Sequence, residues 1–86
     1  MKFEFDLRKS EANKRKHGIG FVGAQALWED LDRLVVPART EGEPRFMLIG
    51  KLSAKHWSAI FTVRGEKVRI VSVRRSREKE VSAYED

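Results

Sequence analysis

Three segments in the second half of the chain place the strongest constraint on its fold. Arg45 to Gly50, Trp57 to Val63 and Lys67 to Arg74 are each rich in β-branched or aromatic residues, which is typical of β-strands. Gly65 and Glu66 separate the last two segments, and this spacing predicts a two-residue hairpin turn. The three segments therefore predict an antiparallel meander with an apolar face for helices to cover.

The hairpin turn also predicts how the last two strands face each other. The pairs are Val63 with Val68, Phe61 with Ile70, and Ala59 with Ser72 on a largely apolar face, and Thr62 with Arg69 and Ile60 with Val71 on the opposite face. In this register Arg69 and Arg75 point away from the apolar face. Arg74 emerges at the end of the strand, beside Trp57. A shift of one residue would reverse these assignments.

A short strand and a polar helix are predicted at the start of the chain. Residues 3–5 alternate apolar and polar, and Asp6 is a suitable N-cap for a helix that runs to about His17. Gly18 then supplies the left-handed residue that ends such a helix. Few apolar positions are available for packing, so the expected stripe is narrow and the basic face is left for solvent or a ligand. The clear apolar positions are Leu7 and Ala12.

A second helix is predicted over about Phe21 to Glu29, because apolar residues recur there at helical spacing. The residues of this stripe are Phe21, Ala24, Leu27, Trp28 and Leu31. Gly23 lies in the first turn and weakens the helix by about 0.5–1 kcal/mol relative to alanine. The first turn is therefore expected to fray.

The remaining segments complete an α+β domain. Val35 and Val36 predict a short strand, Ala38 to Pro44 a loop, and Arg77 to Asp86 a short C-terminal helix with Ser76 as its N-cap. A chain of 86 residues is expected to form one domain over residues 1–86. Its predicted architecture is an antiparallel meander with two N-terminal helices packed on one face.

The composition favours an anionic partner. The formal net charge is +5, which suits nucleic acid, although an acidic protein would satisfy it equally. The absence of cysteine excludes disulfides and thiolate metal sites, and no stretch reaches the roughly 20 apolar residues of a membrane span. We therefore expect a protein of the reducing cytoplasm that uses neither a metal nor another cofactor.

Two basic clusters lie beside groups that can move a proton. Residues 14–17 read Lys-Arg-Lys-His, and residues 74–77 read Arg-Arg-Ser-Arg, followed by Glu80 and Tyr84. Cleavage of RNA by its own 2′-hydroxyl needs a base, an acid and cations on the phosphate. The two clusters lead to the hypothesis of a metal-independent ribonuclease.

Three residues compete for the proton-transfer roles. His17 can exchange a proton near neutral pH, Glu80 can act as a base where it is desolvated, and Tyr84 can donate a proton or stack on a base. Each has a structural alternative. His17 would cap its helix, Glu80 would pair with an arginine, and Tyr84 would pack beneath the sheet.

The cationic candidates are expected to act in two ways: some would hold the phosphate, and others would attract the rest of the RNA backbone. Arg74 and Arg75 end a rigid strand and could hold phosphate, unless they pair with Glu78 or Glu80. The residues expected to extend the RNA path are Lys14, Lys16 and Arg69.

Motifs across almost the whole chain resemble the BrnT family of bacterial toxins. The most specific are Lys16-His17-Gly18 and the strand that ends in Arg74-Arg75. The others are Asp6, Lys9, Asn13, Phe21, Ala24, Glu43, Arg45, Ile49-Gly50, residues 69–73, Glu80 and Tyr84. The resemblance implies an α+β domain similar to the RelE superfamily of messenger-RNA-cleaving toxins.

The same resemblance implies a function and a partner. The function is that of a ribonuclease toxin of a type II toxin-antitoxin system, which inhibits translation and growth. The partner is a BrnA-like antitoxin with a ribbon-helix-helix domain, through which the pair binds its operator DNA. The characteristic polar residues of the family fall on Lys16, His17, Arg74, Glu80 and Tyr84.

Two other functions stay open at this point. A non-catalytic module that binds nucleic acid or only its antitoxin would carry the same basic face. A metal-dependent nuclease is disfavoured, because the acidic residues are scattered or paired with bases instead of clustered.

Overall fold

A computed structural model describes residues 1–39 and 41–86. The elements in chain order are β1 (Lys2–Glu4), α1 (Leu7–His17), α2 (Phe21–Ala24), a 3₁₀ helix (Gln25–Glu29), β2 (Leu34–Ala38), β3 (Arg45–Leu52), β4 (Lys55–Arg64), β5 (Lys67–Arg75) and α3 (Glu78–Glu85). The five strands form one sheet in the order β1-β5-β4-β3-β2. The predicted α+β class is confirmed.

The meander is confirmed and is longer than predicted. Strands β2 to β5 pair antiparallel, while β1 adds to the far edge in parallel with β5. The predicted turn at Gly65 and Glu66 is present, with Gly65 at φ 59°. The predicted loop over residues 38–44 begins one residue late, since Ala38 is paired in β2. Thr40 of that loop lies outside the described residues.

A β-bulge changes the predicted register of β5. Phe61 lies opposite Ile70 as expected, but Ile60 then lies opposite Ser72 and Ala59 opposite Val73. Val71 is therefore the extra residue on the bulged strand. The predicted pairs Ala59 with Ser72 and Ile60 with Val71 are wrong for this reason. Beyond the bulge every side chain of β5 changes face, because successive residues of a strand alternate.

The core lies on one face of the sheet, beneath α2 and the 3₁₀ helix. Its buried residues are Ile19, Phe21, Ala24, Leu27, Leu48, Trp57, Ala59, Phe61, Val68, Ile70 and Val73. Trp28 packs edge-on against Phe3 and Phe61, with ring centroids 5.1 and 5.2 Å apart. The paired rings join β1, the 3₁₀ helix and β4 into the same core.

Polar side chains attach α1 to the sheet, in place of the predicted apolar stripe. Leu7 is 70% exposed and Ala12 is exposed. The Asn13 amide donates to the Val73 carbonyl at 2.8 Å and accepts from the Val73 N–H at 3.1 Å, and so pairs with β5 beyond the end of β1. The Ser10 hydroxyl accepts from the Phe21 N–H at 2.8 Å. Helix α1 therefore lies along the edge of β5.

The second helix is shorter and tighter than predicted. Only Phe21–Ala24 is α-helical, and Gln25–Glu29 continues as a 3₁₀ helix. Asp30 then takes an extended conformation with ψ 117°. Leu31, predicted to belong to the apolar stripe, comes after this end and is 94% exposed.

Helix α3 lies against the opposite face of the sheet at the end of β5. It begins after Arg77, which is the N-cap, so the prediction of Ser76 is wrong by one residue. The Ser76 hydroxyl instead lies 2.8 Å from that of Ser58. The helix contacts β3, where Ile49 is buried on the face opposite Leu48. The N-terminal and C-terminal helices are thus separated by the sheet. None of the helices in the described part of the chain is long and apolar enough to cross a membrane.

Candidate functional site

Arg74 and Glu80 form a paired contact that joins β5 to α3. Arg74 lies opposite Ser58 in the sheet, and Glu80 lies in the first turn of α3. The Arg74 Nη1 and Nη2 atoms each lie 2.8 Å from a different oxygen of the Glu80 carboxylate. The Ser58 hydroxyl and the Arg77 backbone N–H also donate to Glu80 Oε1, at 2.8 and 2.9 Å. We call Arg74, Glu80 and Ser58 the clasp.

The clasp holds Glu80 in its ionised form. The hydrogen bond from Arg74 is the largest cause and lowers the pKa of Glu80 from 4.5 to about 2, with further lowering by Arg77 and Ser58 against the opposing effect of burial. The carboxylate in turn raises the pKa of Arg74. A carboxylate with a pKa near 2 binds a proton weakly at neutral pH, which makes Glu80 a poor general base in this arrangement.

A pocket of about 240 Å³ opens beside the C-terminal end of α1, on the other side of the sheet from the clasp. Gly18 ends this helix at φ 84° and lines the pocket directly after His17. The residues that line it are Gly18, Ile19, Leu52, Ser53, Lys55 and Trp57. The last turn of α1 is entirely basic, with Lys14, Arg15, Lys16 and His17. This basic turn therefore directly precedes Gly18, the first residue of the pocket lining.

Arg75 lies over the ring of Trp57, one of the residues that line this pocket. Its guanidinium carbon lies 5.5 Å from the centroid of the Trp57 ring, within the range of a cation–π contact. Arg75 is exposed, whereas Trp57 is buried. We call the pocket with His17 and Arg75 the open site. It presents a guanidinium and an imidazole-bearing helix end to solvent.

Comparison with known protein families identifies the chain. The sequence model of one family, described as the ribonuclease toxin BrnT of type II toxin-antitoxin systems, matches residues 5–80. The chain belongs to the BrnT family. No curated protein matches it. The matched segment of this BrnT chain includes the open site and the clasp, and it ends at Glu80, before Tyr84.

The fold of this BrnT protein divides the predicted site residues between two places. The bulge at Val71 reverses the predicted faces of the two arginines, so Arg74 joins the clasp and Arg75 joins the open site. The prediction that Arg75 points away from the apolar face is therefore wrong. His17 makes no hydrogen bond with Arg74, Glu80 or Tyr84 in the described part of the chain.

The predicted cationic path is divided in the same way. Lys14 and Lys16 are exposed on the last turn of α1, near the open site. Arg69 lies at the opposite end of β5, where its Nη1 atom is 3.5 Å from the Glu4 carboxylate of β1. The two lysines thus lie on the helix that ends at the open site, and Arg69 stands apart from it.

Tyr84 belongs to a hydrogen-bonded group near the far end of α3. Its hydroxyl donates to Asp30 Oδ2 at 2.7 Å, and the same Asp30 oxygen accepts from the Lys51 N–H at 2.8 Å. The bond to Asp30 is the largest cause that raises the pKa of Tyr84 to about 12, with help from burial. A phenol that donates its hydrogen bond to a carboxylate and has a pKa near 12 is a weaker acid than an ordinary tyrosine. Tyr84 is therefore a weak general acid in this arrangement.

The contact between His56 and Glu85 in this BrnT chain was not predicted from the sequence. His56 Nε2 lies 2.6 Å from Glu85 Oε2, and the His56 ring stands edge-on to Tyr84 at 5.2 Å. The hydrogen bond lowers the pKa of Glu85. His56 and Glu85 are 29 residues apart, and no local pattern links a residue near a hairpin turn with the end of a distant helix. Within residues 1–39 and 41–86, no group of three acidic or histidine side chains gathers in the manner of a metal site.

Proposed function

We propose that this BrnT protein is a metal-independent endoribonuclease toxin that cleaves RNA at the open site. The observation that carries the proposal is the basic last turn of α1, which ends in His17 directly before Gly18 of the pocket, while Arg75 lies over the ring of Trp57, another residue of the pocket lining. The proposal is supported by basic side chains and an imidazole on one turn of a helix, since cations can hold a phosphate and an imidazole can accept a proton.

The chemistry follows from the charges at the open site. Arg75 and Lys16 hold the scissile phosphate and stabilise the negative charge that develops on it. His17 takes the proton of the ribose 2′-hydroxyl as that oxygen attacks the phosphorus. The 5′-oxygen leaves, takes a proton from water, and a 2′,3′-cyclic phosphate remains. Lys14 extends the contact to the neighbouring phosphates.

The clasp has a supporting role in this proposal. Glu80 accepts four hydrogen bonds from Arg74, Ser58 and Arg77, and its low pKa opposes a role as base. Arg74 places its guanidinium against Glu80 and so fixes the end of the strand from which Arg75 emerges. Positioning residues of this kind change the rate through the group that they hold.

Membership of the BrnT family supports a proposal for the partner and for the cellular compartment of this protein. A BrnA-like antitoxin with a ribbon-helix-helix domain is the proposed partner, and it carries the pair to operator DNA. The net charge of +5 suits an acidic antitoxin segment as well as RNA. We expect a fold similar to the RelE superfamily, and a cytoplasmic toxin that inhibits translation and growth when the antitoxin is lost.

The test is cleavage of a defined RNA by the purified protein in EDTA, with the new 3′ end examined for a cyclic phosphate. His17→Gln is expected to reduce the cleavage rate by on the order of 100-fold or more, the usual loss when a general base is removed. The matched control is His56→Gln, because His56 is the other histidine of the chain and lies with Glu85, away from the open site.

Three results would contradict parts of the proposal. Cleavage that needs Mg²⁺ would exclude the metal-independent route. Equal loss in the two histidine variants would remove His17 from the reaction. If no RNA is cleaved with or without ribosomes, and expression does not arrest growth, the chain is a binding module and the proposal fails.

A further inference from the structure

The pocket of the open site has the size and lining for one flat, partly apolar group. Ile19 and Trp57 are buried and form its apolar part, while Ser53 and Lys55 are exposed and bring a hydroxyl and an ammonium to its rim. Its volume of about 240 Å³ lies below the roughly 300 Å³ at which pockets for drug-sized molecules begin. A single ring system fits this description better than an extended ligand.

The turn that forms one wall of the pocket is strained. Ser53 and Ala54 connect β3 to β4 with φ 52° and 66°, both in the left-handed region. A two-residue hairpin of this kind usually carries asparagine or glycine, since other residues cost energy there. The chain forms this turn with a serine and an alanine, and the serine is one of the residues that line the pocket. Strain of this kind tends to occur where a binding wall is held in place.

Arg75 supplies a flat cationic surface beside the pocket. The contact with Trp57 holds one side of its guanidinium at 5.5 Å from the ring centroid, and the residue is exposed. Unpaired bases of single-stranded RNA stack on aromatic rings and on guanidinium planes of this kind. Phosphates that flank such a base would reach the basic last turn of α1, because Gly18, which follows that turn directly, lines the same pocket.

We infer that this pocket is a subsite for one unpaired purine base of the RNA, which stacks on Arg75 and places its edge against Lys55. The inference rests on the proposed function, because it names the part of the RNA that the open site recognises. Purines have the larger stacking surface. Lysine carries hydrogen-bond donors and no acceptor, so it suits guanine, which presents two acceptors at O6 and N7, better than adenine, which presents a donor at N6.

The experiment observes the indole N–H signals of the two tryptophans by nitrogen-15 NMR during titration with the 3′-monophosphates of guanosine, adenosine, uridine and cytidine. Trp57 lines the pocket, whereas Trp28 packs against Phe3 and Phe61, so each titration contains its own internal reference. The variant Trp28→Phe assigns the two signals. We expect the Trp57 signal to shift, the Trp28 signal to stay, and guanosine monophosphate to bind several-fold more tightly than the pyrimidine nucleotides.

Two variants test the two contacts that the proposal assigns to the base, and two control variants test the effect of charge alone. Lys55→Met is expected to equalise the affinities for the guanosine and adenosine nucleotides while both still bind. Arg75→Gln is expected to weaken all four nucleotides several-fold, because both the stacking surface and a phosphate contact are lost. The matched controls are Lys67→Met and Arg77→Gln, which each remove an exposed cation outside the pocket and should leave the titrations unchanged.

The outcomes distinguish this inference from the proposed ribonuclease function. Four equal affinities, or the same Trp57 shift with inorganic phosphate alone, would overturn the base subsite. RNA cleavage by His17 without any nucleotide effect at Trp57 would also overturn it and leave the ribonuclease proposal standing. A purine-selective response at Trp57 in a protein that cleaves no RNA would support the subsite and contradict the ribonuclease.

Discussion

Arg74 and Arg75 are adjacent in the sequence and have opposite environments. The Arg74 guanidinium is held by both oxygens of Glu80, and its side chain is 27% exposed. Arg75 lies over Trp57 at the edge of a pocket and is exposed. The difference follows from the alternation of a strand and from the bulge at Val71, three residues before Arg74, which sets which arginine faces which side. A basic cluster can therefore contain one arginine that is held by a carboxylate and one that is exposed over an aromatic ring.

The largest expected effect is on stability and separates the two arginines. We expect Arg74→Met to lower the free energy of unfolding by about 3 kcal/mol, because it leaves a half-buried carboxylate without its ion partner. Arg75→Met removes an exposed contact with Trp57 and should cost less than about 1 kcal/mol. Urea denaturation at pH 7 measures both. Equal losses in the two variants would mean that the clasp is not a stabilising contact.

The next prediction concerns the pH dependence of stability. The pKa of Glu80 is lowered from 4.5 to about 2 in the folded state, so this group stabilises the fold above pH 4.5 and loses its contribution as the pH falls from 4.5 toward 2. Each pKa unit corresponds to about 1.4 kcal/mol, which sets an upper bound of roughly 3.5 kcal/mol for the loss. Denaturation midpoints measured across this range should fall steeply.

The control for this prediction is Glu80→Gln, which removes the titrating group. Asp6, Asp30 and Glu85 also have lowered pKa values and keep part of the slope in the variant. The variant should therefore show a flatter profile with some remaining pH dependence. A parallel profile at lower stability would show that Glu80 does not cause the slope.

The strands and the bulge of this fold differ in how well the sequence predicts them. The hairpin of β4 and β5 and the strand β3 follow from local patterns, because β-branched runs and a two-residue turn act over a few residues. The bulge at Val71 has no such signal. Val71 and Ser72 continue an ordinary alternation, and the extra residue becomes visible only where the partner strand fixes the register.

The attachment of α1 was unpredictable for a different reason. Sequence patterns locate helix faces by their apolar residues, and α1 is held by the polar residues Ser10 and Asn13. The group formed by Asp30 and Tyr84 joins positions 54 residues apart, and no periodicity connects them. The residue types at the candidate site could therefore be read from the sequence, while their division between two faces depended on tertiary contacts.

A third prediction tests whether Arg75, and not Arg74, contacts RNA. We expect Arg75→Gln to weaken the binding of single-stranded RNA by about tenfold and to reduce the slope of log affinity against log salt by about 0.7, the contribution of one phosphate contact. Arg74→Gln should leave that slope unchanged, because its guanidinium is held by Glu80. Fluorescence anisotropy of a labelled RNA at several salt concentrations measures both. An affinity that does not change with salt would exclude phosphate contacts.

The smallest expected effect concerns Tyr84. It distinguishes a structural role of the phenol from a role in RNA cleavage. Tyr84→Phe removes the 2.7 Å hydrogen bond to Asp30 but keeps the ring against His56, so the expected cost is about 1 kcal/mol in the free energy of unfolding. RNA cleavage should continue at the parent rate, because the hydroxyl proton is engaged by Asp30 and the residue lies outside the open site. Asp30→Asn is the matched control, since it keeps the shape of the acceptor and removes its charge. If Tyr84→Phe abolished cleavage with unchanged stability, the phenol would be the general acid, and the reaction would have to use the face of the sheet that carries α3.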